Sequence, residues 1–67
     1  MEEKAKKMII DKMINVNNVI IDTIYSLDEE CQSQIFNEGD SPTNEELSWL
    51  KKAYISLMEL ISQGNNL

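Results

Sequence analysis

The chain has no histidine, no arginine, one cysteine (Cys31), one proline (Pro42) and only two glycines (Gly39 and Gly64) in 67 residues. Each shortage closes off a class of explanation. Without histidine, general acid–base chemistry near neutral pH loses its usual agent, and no Ser/His/Asp set can be built. One thiol cannot form a disulfide within the chain, and with no imidazole beside it a structural zinc site has too few ligands. Two isolated glycines leave no glycine-rich phosphate loop. No enzyme, cofactor or resident metal is expected. No run approaches the roughly 18 uninterrupted apolar residues of a membrane span. The amino-terminal "MEEKAKKMIIDKM" mixes both signs of charge and lacks the apolar stretch and small-residue cleavage site of a secretory signal. A lone thiol also suits a reducing compartment, so a cytoplasmic location is expected.

A chain of this length forms one domain, spanning 1–67. Chains under about 70–80 residues rarely gain more than about 3–5 kcal/mol from their own core, and many rely on staples or partners. With disulfide and metal staples excluded, self-association is the remaining device.

The net charge of −6 is unevenly spread. Between Met13 and Leu50 stand eight acids (Asp22, Asp28, Glu29, Glu30, Glu38, Asp40, Glu45 and Glu46) and no base; all six lysines lie outside. Such a surface disfavours direct binding to DNA or RNA. The three lysines at 4–7 are too few, and too mixed with Glu2 and Glu3, to overturn that.

Turn chemistry is dense in one place only, "NEGDSP" at 37–42. Before it, apolar residues recur at helical rather than alternating spacing, predicting helix A over about 4–36. Ile9, Met13, Val16, Ile20, Ile24, Leu27 and Cys31 form one stripe, with Ile10, Ile14, Ile21 and Tyr25 beside it. After the loop, Ser41 with Pro42 at the first helical position, or a Thr43–Glu46 capping box, starts helix B over about 43–63. Gly64 is its expected stop. Two helices on a short loop predict an all-α antiparallel hairpin. The alternative is a break at 26–28, where "SLDE" offers a second capping box and would give three helices.

Helix B places Leu47, Leu50, Tyr54, Leu57, Met58 and Ile61 on one face, with Trp49, Ala53 and Leu60 extending it sideways. Met8, Met13 and Met58 are read as core fillers. Helix A is apolar over roughly two-thirds of its circumference, more than one neighbouring helix covers. Dimerisation into a four-helix bundle is the economical solution. Asn17 falls inside that apolar arc. It either pairs with a symmetry mate or a nearby backbone group, fixing register as core asparagines can, or sits at the rim facing water.

The expected function is a small, non-enzymatic, inhibitor- or regulator-like binding protein. Its size, acidity and Ile/Asn/Lys-rich composition suit a phage-type product. Asp28, Glu29, Glu30, Glu38, Asp40, Glu45 and Glu46 would form an electronegative tip at the loop end. That tip would dock on a basic protein surface, such as a nucleic-acid-binding one. The alternative is apolar recognition of a partner through the stripe, with Asn17, Trp49, Ala53 and Leu60 as contact residues. A remote third reading is a divalent-ion site from Glu29, Glu30, Glu45 and Glu46. Cys31, on the core stripe, reads as a small hydrophobe, with redox sensing or a dimer-linking disulfide as its other uses.

Overall fold

Helix A ends early. The computed structural model describes residues 3–67, which form α1 (Glu3–Tyr25), α2 (Glu29–Phe36) and α3 (Glu45–Asn65), with no strand among them. The interruption at 26–28 makes the fold an all-helical three-helix arrangement rather than a two-helix hairpin. Its cause is local and steric together. Asp28 adopts an extended backbone, and its carboxylate accepts the Cys31 N–H at 2.9 Å, so it starts a new helix as its N-cap. Ser26, the first residue of the expected box, instead donates its hydroxyl to the Thr23 carbonyl at 2.6 Å. A continuous helix would have carried Ile35 and Phe36 past the end of α3. The break folds them back, and Ile35 becomes fully buried with Ile24 and Leu47.

α1 and α3 run antiparallel. At one end Lys6 Nζ donates to the Leu67 carbonyl at 3.0 Å and Gly64 lies against Ile10; at the other, Ile24 meets Leu47. α2 crosses that second end, where Phe36 packs between Tyr25, to which it is tilted, and Tyr54, which it meets edge to face, at centroid distances of 5.4 and 5.5 Å. The molecule measures 42 × 21 × 16 Å, and its radius of gyration is 13.6 Å. A compact chain of this length would have about 11 Å.

The start and end of helix B also differ from expectation. α3 begins at Glu45, capped by Asn44, whose Oδ1 accepts the Leu47 N–H at 2.8 Å. Neither Ser41 nor Thr43 caps it. The Thr43 N–H is committed to Gln34 Oε1 at 3.0 Å, which ties the loop to α2. Gly64 does not stop α3 but lies inside it, where the lack of a side chain lets α1 approach. A Cβ there would sit 2.9 Å from Ile10 Cδ1.

The inward line of α1 is Ile10, Asn17 and Ile24, each seven residues apart, which is two helical turns. Ile9 and Val16, expected on the core stripe, are exposed instead, as are Met8 and Met58. The contact line falls between the two apolar stripes. Helix B covers the middle of the arc and leaves both flanks open.

Candidate functional site

Three sets of residues offer themselves as sites: the acids, Asn17 and the uncovered apolar flank. All seven acids of the expected tip are exposed, and several have local work. Asp28 caps α2. Glu29 and Glu30 occupy the first turn of α2, and Glu45 and Glu46 that of α3, where the helix dipole favours anions. Asp40 accepts Asn37 Nδ2 through Oδ2 at 3.2 Å, and Glu38 lies on the exposed loop beside it. Among the described residues, no three carboxylates or thiols come close enough together to hold a metal ion. The expected grouping of Glu29, Glu30, Glu45 and Glu46 as ligands is therefore not assembled.

The hydrogen bond with Cys31 holds the Asp28 carboxyl below its usual range. The same pair pushes the Cys31 thiol up, chiefly through its hydrogen bond to Asp28, with desolvation adding to it. Cys31 is half-buried against the Ile24–Ile35–Leu47 core. Its setting is that of a packed, poorly nucleophilic thiol.

Asn17 is 8% exposed, so the rim position is not the one it takes. Among the described residues its Oδ1 has no hydrogen-bond partner, backbone groups included. It borders a groove of about 390 Å3 between Ile14, Asn18, Met58 and Ile61. That groove is on the side of the α1–α3 pair that α2 partly covers, since Met58 also lines the cleft beside Ile35, Phe36 and Tyr54.

The other side of the pair has no covering helix. On the α3 wheel Trp49, Ala53 and Leu60 lie roughly a third of a turn round from Tyr54 and nearly half a turn from Met58, at about 100° per residue. Ile9 and Val16 occupy the matching flank of α1. A groove of about 210 Å3 between Ile9, Met13, Leu60 and Leu67 joins the two flanks. Trp49 is 71% exposed, Val16 54%, Leu60 52% and Ile9 51%, while Ala53 is half-buried. Trp49 is thus not part of the internal core. Of the apolar contact residues expected from sequence, Trp49, Ala53 and Leu60 share this flank, and Asn17 does not.

Three polar residues that position α2 escaped the sequence reading. Gln32 Nε2 donates to the Leu27 and Tyr25 carbonyls at 2.7 and 3.2 Å, closing the end of α1. Gln34 holds Thr43. Lys51 Nζ reaches the Gln34 and Asn37 carbonyls at 3.0 and 2.8 Å, and the Asp40 carbonyl as well. Lys51 supplies the cation that the end of α2 itself lacks. Its spacing from α3's apolar face was the only available signal.

Set against known proteins, the chain matches no family model, no curated protein and no solved structure. No helix among the described residues is long and apolar enough to cross a membrane.

Proposed function

We propose that this chain is a non-enzymatic protein-association module, acting through the apolar flank of α1 and α3 that faces away from α2. One observation carries the reading: Ile9, Val16, Trp49 and Leu60 are each more than half exposed, and helical spacing puts them on one side of the helix pair. Isolated apolar side chains on a surface are ordinary, whereas several aligned on one flank with a tryptophan among them favour an interaction surface. The bundle formation expected from the sequence is one such association. Replacing Trp49 with a photo-crosslinking amino acid tests the reading, with Asn15 on the polar side of α1 as control. Protein adducts from position 49 and none from position 15 are expected. No adduct at 49, or equal yields at both, would remove the apolar flank as the binding surface.

A second reading rests on the exposed carboxylates around the starts of α2 and α3: docking of the acidic end on a basic protein surface, in the manner of an inhibitor or regulator. It predicts adducts from position 30 that vanish as salt rises, because exposed charges more than about 8–10 Å apart are screened at physiological ionic strength. Adducts from position 30 that survive high salt would exclude it.

A further inference from the structure

We propose that the occupant of the apolar flank is a second copy of this chain, set antiparallel to the first across a two-fold axis. The inference rests on the apolar-flank reading above and adds partner, face and direction to it.

Surface area points to the partner. The molecule exposes 5176 Å2 for a mass of 7.7 kDa. A folded monomer of that mass exposes about 4,300 Å2, so the excess is roughly 850 Å2. Each side of a standard protein–protein interface buries about 800 Å2. Part of the excess follows from the elongated 42 × 21 × 16 Å shape, which side-by-side pairing would correct. The face is chosen by α2. On its own side α2 interrupts the helix pair, whereas on the other side two long, unobstructed helices present a strip that can lie against an identical strip. A two-fold interface needs such self-complementarity.

Charge gives the direction. Lys4, Lys6, Lys7 and Lys12 stand towards one end of the long axis, near the start of α1, where they offset Glu3, Asp11 and Glu59 and leave that end close to neutral. Glu29, Glu30, Glu45 and Glu46 stand towards the other, at the starts of α2 and α3. A parallel pair would set carboxylates against carboxylates. The antiparallel pair separates the two acidic ends and sets each beside the partner copy's near-neutral, lysine-bearing end. Lys12 flanks the strip on α1, and Glu46 flanks it on α3.

The test is the absolute mass of the full chain by light scattering across a dilution series at low salt, with Trp49 emission read in parallel. Twice the chain mass is expected at high concentration, with emission moving to longer wavelength as dilution separates the copies and wets Trp49. Leu60→Glu should hold the chain at single mass with its helical circular dichroism unchanged. Lys12→Glu should weaken dimerisation by roughly tenfold, since the two-fold axis sets the reversed charge towards the partner copy's acidic end twice. Adding Glu46→Lys to the same chain should restore it, which a misfolded variant could not do. A wild-type chain that stays single at every concentration overturns the second copy as occupant. The apolar-flank reading then stands or falls separately on the crosslink at position 49. A dimer indifferent to Leu60→Glu overturns the choice of face, and one indifferent to Lys12→Glu overturns the antiparallel direction.

Discussion

Gly64 gives Ile10 the room it occupies: a Cβ built on Gly64 would stand 2.9 Å from Ile10 Cδ1 and 3.1 Å from Cγ1. Elsewhere in a helix, replacing glycine with alanine gains up to about 1 kcal/mol. Here, in the last turns of α3, the gain is smaller and the overlap opposes it. Gly64→Ala is expected to destabilise the fold by about 1 kcal/mol, because a packed side chain must shift. Ile10→Val removes Cδ1 and should recover part of that loss. Urea unfolding of the two single variants and the double measures the coupling, and strictly additive effects would contradict the contact.

Asn17 carries an unanswered amide oxygen in a buried position. An unpaired buried polar group costs about 1–3 kcal/mol, and an apolar residue of similar shape avoids that cost. Asn17→Leu should therefore raise the melting temperature, by about 4–8 °C for each kcal/mol in a chain this small. A fall in melting temperature would mean that the amide finds a partner in solution.

Lys51 gathers carbonyls from the end of α2 and from the loop. Lys51→Met keeps most of the stem and removes the donor. The partly exposed setting limits the global cost to about 1 kcal/mol, but the effect should be concentrated. Amide hydrogen exchange is expected to quicken in α2 and hardly at all in the middle of α1. Uniform quickening along the whole chain would count against a local role.

The Asp28–Cys31 pair gives the fold two pH limits of opposite sense. Asp28 titrates below its ordinary 3.8, so its capping contribution is complete above that value and is lost as pH falls through the lowered one. Cys31 titrates above its ordinary 9.0, so its contribution is complete below 9.0 and is lost as pH rises through the raised value. Alkylation of Cys31 by iodoacetamide should be slower than that of a free thiol at the same pH. Asp28→Asn should speed it, provided circular dichroism shows α2 intact. Equal rates in the two proteins would show that Asp28 does not govern the thiol.

Much of the architecture could be read from local chemistry. Helical spacing gave the class, "NEGDSP" the loop, and "SLDE" the place where helix A could break. The caps stand one to three residues from those expected, because Ser, Thr, Asp and Asn compete for the role within each stretch. Only Gln34, from another helix, decides that Thr43 is otherwise engaged. In sequence Gly64 looks like a stop because its tertiary reason, Ile10, lies 54 residues away. Asn17 was placed in the apolar arc correctly, but whether that arc's centre or edge meets α3 depends on the rotation of one helix against the other. That rotation also left Ile9 and Val16 outside.

The manner in which α2 is fastened sets how the molecule comes apart. Eight residues make too short a helix to persist alone in water. Its hold is Ile35 buried against Ile24 and Leu47, the aromatic cluster around Phe36, and a few polar ties from Gln32, Gln34 and Lys51. The segment can therefore act as a latch, released as a unit while the long pair stays closed. Brief release would lay bare Ile24 and Leu47. Mild heat or low denaturant would thus make the chain sticky before it unfolds, and any aggregation should begin at that end.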